Sequence, residues 1–352
     1  MKILTRTTIM KSQLRLRRER MLPEPGDVVV SPGQEVSPVQ VVARTHRPTR
    51  FRIVPASELW HISPDEVVEY LQVSEGTAVQ QGDVLLQKKQ LLGKKTLESP
   101  IEGTFFGVNH GRLIFQQYEW FELRALVNAR VVNAIPKRGI VLEIVGTQIQ
   151  GVWGSGKEGY GRLKMRATAE TNPLLKDEIS DVEGAIVVAA VVNNLDILRH
   201  LQQEGASGLI VGSLTANVHT KAASIGLPII ITDGVGTQGM ARSVFDLLRD
   251  HEGHDVALFA RKPDYWGNRP EIIISHDAAG GASDTPGAYH PPVVGQRVRI
   301  LRAPYQSQVG EIIHLYQHLR GTELGMKAHG ADVKLADGSV IFVPYANLDT
   351  IV

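Results

Sequence analysis

The segment GVWGSGKE, at residues 151–158, has most of the spacing of a phosphate-binding loop. Two glycines are separated by four residues and the second is followed by Lys157, but Glu158 replaces the Ser or Thr that would hold magnesium. A carboxylate at that position repels phosphate. Such a loop also leads into a helix, whereas Gly159 and Gly161 would each weaken a helix by about 1 kcal/mol relative to Ala. The sequence therefore predicts a glycine-rich turn between strands and no nucleotide site.

Polar residues also follow the apolar segments of residues 171–275, which predict strands that alternate with helices. Strand–helix–strand repeats with short links favour parallel pairing, and ligands of open α/β sheets bind at the carboxyl ends of the strands. The candidate ligand-binding residues at these ends are Asn193, Asn194, Ser213, His219 and Asp233. The alternative, which we favour, is that Asn194 caps a helix and Asp233 forms a turn.

The composition excludes several kinds of catalytic site. The chain has no Cys, so it has no disulfide, no thiolate–metal site and no thiol nucleophile. No Gly-x-Ser-x-Gly elbow occurs, and the 12 His do not cluster at metal-ligand spacing. We therefore expect no metal and no cofactor, and the balance favours a protein that is not an enzyme without deciding the question.

Charge and hydropathy favour a cytoplasmic protein. The formal net charge is only +1, so any attraction to nucleic acid must be local. The longest apolar stretch, at residues 184–192, is far shorter than the ~20 residues that span a bilayer. Residues 1–20 carry seven Lys/Arg and lack the apolar core of a signal peptide. This Arg-rich, acid-poor start favours a basic arm or an edge strand, with a transit peptide as the alternative.

The N-terminal part contains two glycine-marked halves of a small β fold. The segments VSEGTAVQQGDVLLQ (73–87) and LESPIEGTFFGV (97–108) form one half, and GDVVVSPGQEVSPVQVVAR (26–44) supplies the other. The pattern resembles the biotinyl and lipoyl domains, which have the barrel-sandwich hybrid fold. The resemblance implies a hairpin that presents a modified lysine, but Leu92 occupies that position. We therefore expect an unmodified structural fold, since a neighbouring lysine would replace Leu92 only after a slip in register.

The C-terminal tail has an alternating strand, a Pro-Tyr turn and a glycine that opens the next strand. This segment, VGQRVRILRAPYQSQVGEII (294–313), resembles the KOW motif of the NusG transcription-factor family and of several ribosomal proteins. The resemblance implies a small SH3-like barrel that binds protein or RNA. The candidate contact residues are Arg297, Arg299, Arg302, Tyr305 and Lys327, with the three arginines expected on one strand face. Because the tail has six Lys/Arg against five Asp/Glu, we favour a protein partner over RNA.

These features predict a multidomain α/β plus all-β fold. It combines a β-rich barrel-sandwich hybrid, a small parallel α/β domain and a C-terminal SH3-like barrel. The predicted regions are a basic N-terminal arm (1–22), a barrel-sandwich-hybrid-like domain (23–125), a β-rich connecting segment (126–170), the α/β domain (171–275), a flexible linker (276–292) and the KOW-type barrel (293–352).

The expected function is that of a non-enzymatic modular binding or scaffold protein, which the KOW-like tail would link to the transcription or translation machinery. The alternative is a small-molecule-binding or catalytic α/β domain that carries two accessory barrels. A ligand bound at the strand ends would favour this alternative. We expect no association with membranes, and the sequence does not indicate an oligomeric state.

Overall fold

The structure is a computed structural model that describes residues 6–8, 10–90, 93–263, 268–276, 282–283, 292–302, 304–306, 308–322 and 325–351. Leu92 and most of the predicted linker lie outside the described residues. The described chain is mostly strand and forms several sheets, one of which carries helices. The prediction of an α/β unit combined with further β sheets is therefore confirmed.

The N-terminal third of the chain forms a five-stranded sheet and a hairpin. Its strands are β1 (Arg6–Thr8), β2 (Met10–Met21), β3 (Asp27–Val28), β4 (Glu35–Val36), β5 (Val41–Val54), β6 (Ala78–Val79), β7 (Val84–Gln90), β8 (Gly93–Glu98), β9 (Gly103–Asn109) and β10 (Arg112–Arg124). A short helix, α1 (Ala56–Trp60), and a 3₁₀ helix (Asp65–Tyr70) follow β5. The sheet has the order β3-β5-β10-β9-β6, and β7 pairs with β8. Strands β1, β2 and β4 join other sheets.

The middle of the chain forms a large central sheet. Its further strands are β11 (Ala129–Ile135), β12 (Gly139–Gln150), β13 (Trp153–Gly154), β14 (Lys157–Met165), β15 (Ala185–Val192), β16 (Gly208–Leu214), β17 (Ile229–Val235), β18 (Asp255–Ala260), β19 (Glu271–Ser275) and β20 (Ala282–Ser283). The helices are α2 (Leu195–Gln203), α3 (Ala216–Ala222), α4 (Arg242–Asp250) and a 3₁₀ turn (Lys176–Glu178). The order is β13-β17-β16-β15-β14-β18-β19-β12-β11-β4, with β2 paired to β12 and β20 paired to β2.

Helices cover both faces of the parallel part of this sheet. Strands β14 to β17 are mutually parallel, but β18, which we expected to extend the parallel series, pairs antiparallel with β14. Helices α2 and α3 bury Leu198, Leu201 and Val218 against one face, and α4 buries Val244 and Leu248 against the other. Because every residue of β15 is buried, this strand reads in the sequence as a continuous apolar run.

The segment that we predicted as a glycine-rich turn forms strands β13 and β14. Lys157 begins a strand and not a helix, so the geometry of a phosphate-binding loop is absent there. The glycines permit close approach of neighbouring backbone. A Cβ at Gly159 would lie 2.4 Å from the Ser207 carbonyl oxygen, and one at Gly161 would lie 2.1 Å from that of Gly184. The glycines thus serve sheet packing.

The C-terminal part forms a six-stranded sheet that includes the start of the chain. Its strands are β21 (Arg297–Ile300), β22 (Val309–Leu315), β23 (Arg320–Gly321), β24 (Lys327–Ala328), β25 (Gly330–Leu335), β26 (Val340–Pro344) and β27 (Leu348–Ile351), with a 3₁₀ turn at Tyr345–Asn347. The order is β1-β27-β21-β22-β25-β26, and β23 pairs separately with β24. Strand β1 is parallel to β27, so the two ends of the chain meet in one sheet. None of the helices described here has the length and apolar character needed to cross a membrane.

Candidate binding surfaces

The carboxyl end of β17 is filled by an arginine from the C-terminal sheet. Arg299 on β21 donates from Nη1 to the Thr232 carbonyl oxygen at 2.7 Å and to Asp233 Oδ1 at 3.3 Å. Its Nη2 donates to Asp349 Oδ2 at 2.6 Å, and Arg269 lies 3.4 Å from the other oxygen of that carboxylate. The position that α/β sheets commonly offer to a ligand is therefore occupied by the protein's own side chain.

The opposite charges of this buried cluster stabilise each other's ionised forms. The side chain of Arg299 is 2% exposed, and those of Asp233 and Asp349 are 0% exposed. Burial alone would lower the pKa of Arg299, but the two carboxylates raise it above its usual value. Burial raises the pKa of the Asp233 carboxyl, and the positive charge of Arg299 opposes that change. The cluster fastens the C-terminal sheet to the central sheet.

The other predicted ligand residues are spread over the end of the sheet. Asn193 and Asn194 are exposed, and the Asn194 side chain accepts a backbone N–H of α2 at 2.9 Å, as a helix cap does. Ser213 is buried and donates to a backbone carbonyl at 2.9 Å. His219 lies edge-on to Trp153, with ring centroids 4.9 Å apart. Each residue has a structural partner or faces solvent.

The predicted contact residues of the C-terminal sheet also separate. Arg297, Arg302 and Lys327 are exposed, whereas Tyr305 is partly buried against the core of that sheet. Arg299, which we expected beside Arg297 on an exposed strand face, is withdrawn from solvent, because the central sheet covers that part of β21. The exposed cations among the predicted residues are therefore scattered, with Arg297 on β21, Arg302 just after that strand and Lys327 on the separate strand β24.

The arginines of strand β2 are neutralised within the central sheet. All four form ion pairs with glutamates, namely Arg15, Arg17, Arg18 and Arg20. The Arg20 guanidinium lies over the ring of Phe259 and binds both carboxylate oxygens of Glu158. That glutamate is the residue that interrupts the phosphate-binding motif. An open cleft of about 520 Å³ lies beside this ion pair and is also lined by Arg47, Lys157 and Arg261.

A different set of arginines lies unpaired on the ribbon formed by β5 and β10. The segment 41–54 contains four arginines and no Asp or Glu, namely Arg44, Arg47, Arg50 and Arg52. All four are exposed, and none of them forms an ion pair with a described residue. Arg50 and Arg52 both donate to Gln117 Oε1, at 3.1 and 3.2 Å. With six arginines and two glutamates, the two strands carry a net charge of +4, against +1 for the whole chain.

Aromatic side chains cover one side of the same ribbon, which we call the outer face. Four directly opposed pairs occupy alternate positions and therefore share this side, namely Ile53–Ile114, Phe51–Gln116, Pro48–Tyr118 and His46–Trp120. Phe106 on β9 lies against Phe51, with ring centroids 5.1 Å apart. The ring centroids of Trp120 and His46 lie 3.7 Å apart, and the Arg44 guanidinium lies 4.6 Å from the Trp120 ring centroid. The outer face therefore joins aromatic rings to one exposed arginine, Arg44, whereas the register places Arg47, Arg50 and Arg52 on the other side of the ribbon.

These rings are far more exposed than is usual for large aromatic side chains. Phe51 is 53% exposed, Phe106 57% and Trp120 51%, and Tyr118 and Ile53 are 43% and 58% exposed. A contiguous exposed apolar surface of this kind marks an interaction site in a soluble protein. The sequence analysis missed this surface. The signal was present in RTHRPTRFR, an acid-free run of cations with aromatics, but only the register with β10 places the rings together.

Comparisons with known proteins add little. No protein-family model and no curated protein matches the chain. Over 37% of its length the chain is similar to a UPF0107 protein solved by NMR, with 11% identity, a TM-score of 0.26 and 99% of that chain covered. It is also similar over 37% of its length to the holo-form of aconitase X from Thermococcus kodakaraensis, with 18% identity, a TM-score of 0.25 and 100% of that chain covered. At these TM-scores neither protein informs the fold or function of this chain.

Proposed function

We propose that this protein is a non-enzymatic binding protein that binds nucleic acid through the β5–β10 ribbon. The observation that carries this function is the group of four exposed arginines that form no ion pair with a described residue, on a ribbon that also carries exposed aromatic rings. Cations that are not neutralised by the protein are free to bind phosphates and to release counterions, which is the main source of affinity for nucleic acid. The arginines of β2, by contrast, already have glutamate partners.

The alternative function, a small-molecule site at the end of the α/β sheet, has less support. Arg299 fills the carboxyl end of β17, and a ligand there would have to displace a buried ion cluster. Docking of a protein on the C-terminal sheet also has less support. Ile300 is 3% exposed and Tyr305 is partly buried, so the apolar edge that such docking needs is mostly covered.

We also propose the finer fold assignments that the sequence motifs suggested. The five-stranded sheet with its β7–β8 hairpin is an unmodified barrel-sandwich hybrid, and the C-terminal sheet is a KOW-type SH3-like barrel. Positive φ angles at the predicted turn glycines support this, with +87° at Gly33, +82° at Gly76, +94° at Gly82 and +82° at Gly338. A cytoplasmic location and a role beside the transcription or translation machinery belong to the same proposal.

The test is a titration of the full chain against fluorescently labelled nucleic acids of ~20 nucleotides, one single-stranded and one duplex. The double variant Arg50→Gln/Arg52→Gln removes two free cations from the ribbon. We expect weaker binding and a shallower salt dependence, since each lost phosphate contact lowers the log–log slope by about 0.7 on single strands or 0.9 on duplex.

The matched control is Arg297→Gln/Arg302→Gln, which removes the same charge from the exposed side of the C-terminal sheet. This control should bind like the unaltered protein. Nucleic acid that fails to bind even at about 50 mM salt would refute the function. An equal loss in the control would refute the assignment to the ribbon.

A further inference from the structure

We infer that the outer face of the ribbon binds a single-stranded polynucleotide, whose bases stack on Trp120 and on the Phe51–Phe106 pair; this inference rests on the proposed function. Three features of the described residues lead to it. They are the exposure of the rings, their position on one side of the ribbon, and the nature of the charges around them.

The arrangement of the rings favours stacking on base faces. A base presents a flat π surface, and stacking on an exposed aromatic side chain is tolerant of sequence because every base has such a surface. Trp120 and the residue opposite Phe51, Gln116, are four positions apart on β10. At about 3.4 Å per residue the two platforms lie roughly 14 Å apart. That distance corresponds to roughly four nucleotides at the stacked spacing of about 3.4 Å.

The same arrangement argues against a duplex ligand. A two-stranded β ribbon fits the major groove of DNA, but it then reads base edges with Arg, Asn or Gln side chains. The outer face between Pro48 and Ile53 carries mainly rings and aliphatic groups, and Gln116 is the single amide among the four opposed pairs. The faces of paired bases are covered by their neighbours in the stack, so these rings find stacking partners only where bases are unpaired.

The net charge of +4 on the two strands favours a polyanion over an apolar protein segment, and on the outer face itself Arg44 stands opposite Glu122. The Arg44 guanidinium lies over the Trp120 ring, and guanidinium groups stack on bases as well as neutralising phosphates. Arg50 and Arg52 reach the opposite side of the ribbon, where both donate to Gln117. A strand lying across the outer face would thus have rings beneath its bases and the Arg44 guanidinium beside Trp120, and its phosphates would reach Arg50 and Arg52 only by passing round the edge of the ribbon.

The experiment measures binding of labelled ~12-nucleotide oligothymidylate, oligouridylate and a DNA duplex of equal length to the full chain and to variants. Trp120→Ala should weaken single-strand binding by about 5- to 150-fold, the loss of one stacked base. The loss should be nearly independent of salt, and duplex binding should be unchanged. Trp120→Phe keeps a ring and should restore most of the affinity. The two single strands differ in the 2′-hydroxyl and so distinguish RNA from DNA as the preferred ligand.

The control variant is Leu59→Ala, which removes another half-exposed apolar side chain of the same sheet region and should have no effect. Trp120 lies on the surface, so far-ultraviolet circular dichroism of Trp120→Ala should match that of the unaltered chain. Equal affinity for single strands and duplex, with no effect of Trp120→Ala, would overturn the inference and leave the proposed function standing. Absence of binding to every nucleic acid would overturn both. Tighter binding of polyglutamate than of oligonucleotide, or a dimer in sedimentation that Trp120→Ala dissociates, would also overturn the inference.

Discussion

Replacing Arg299 by Met should loosen the C-terminal sheet from the central sheet. The variant keeps an apolar stem of similar length but leaves the carboxylates of Asp233 and Asp349 without their shared cation. Both carboxylates are 0% exposed, so water cannot take its place. Removal of one partner from a buried ion pair costs about 3–5 kcal/mol, because the uncompensated charge remains buried. Arg269 lies 3.4 Å from Asp349 and partly compensates that carboxylate, so we expect the lower half of this range.

Hydrogen exchange is the suitable assay, because a chain with several sheets does not unfold in a single step. Amides of β21 and β27 should exchange about 100- to 1,000-fold faster in the variant, which corresponds to about 3–4 kcal/mol of opening free energy. Amides of β15, on the far side of the cluster, should keep their protection. Since the cluster is buried, the effect should persist between low and high salt.

The pH dependence of the variant follows from Asp233. Burial already raises the pKa of this carboxyl, and Arg299 provides the charge that opposes the change. Without Arg299 the folded-state pKa rises further above its unfolded value, so the folded form takes up a proton. A raised acid favours the folded state below its pKa and loses that contribution as the pH rises through it. The deficit of Arg299→Met should therefore shrink as the pH is lowered from 7 towards the unfolded pKa of about 4.

Two companion variants separate the charge from the shape of the side chain. Arg299→Lys keeps a cation but loses the fork that reaches both carboxylates, so its exchange should be intermediate. Arg297→Met removes an exposed arginine two residues away and should change stability by no more than about 0.5 kcal/mol. Exchange in β21 and β27 that accelerates less than about tenfold in Arg299→Met would show that the cluster does not fasten the sheet.

Three further outcomes are expected. Gly161→Ala should lower the melting temperature or the folded yield, because the added Cβ would lie 2.1 Å from the Gly184 carbonyl oxygen. The control Gly321→Ala meets no atom within 4 Å and should melt like the unaltered protein. Equal melting temperatures of the two variants would contradict the packing role of Gly161. Burial lowers the pKa of His219, so its ring resonances should titrate below pH 6.5 in NMR. The contribution of the neutral ring to the stability of the fold should be present above that pH and lost as the pH falls. A titration midpoint above 6.5 would contradict this prediction. Intact mass spectrometry of the native protein should show no biotin or lipoate, and a modified lysine beside the β7–β8 turn would overturn the assignment of an unmodified domain.

The α/β elements were accessible from the sequence because their signals are local. A fully buried strand such as β15 is a continuous apolar run, and α2 shows the spacing of Leu198 and Leu201 that one helical face requires. The antiparallel direction of β18 was not accessible in this way. An apolar run has the same sequence pattern whether the strand is parallel or antiparallel to its neighbours. Only the pairing with β14 and β19 fixes the direction of β18.

The roles of individual arginines were less accessible, because they depend on contacts between residues far apart in the chain. Arg297 and Arg299 stand two positions apart on one strand, yet one is exposed and the other is buried against Asp233, 66 residues away. Likewise Arg20 reaches Glu158 across 138 residues. Strand periodicity places such side chains on a face, but it does not say which part of that face another sheet covers.

Pairing of charges is the reason for proposing the β5–β10 ribbon, and not β2, as the site that binds a polyanion. A net charge of +1 suggests little attraction, and the most basic segment of the sequence, around β2, is neutralised by glutamates when the sheet forms. Folding thus neutralises the segment that composition alone would make the strongest candidate for binding a polyanion. Strand β5 keeps its charge because no described strand pairs with its other edge beyond Arg44, and because Glu119 and Glu122, which stand opposite Arg47 and Arg44 in the register with β10, form no ion pair with them. Arginines without ion pairs and half-exposed aromatic side chains therefore coincide on this ribbon, where their described contacts are mainly with each other and with Gln117.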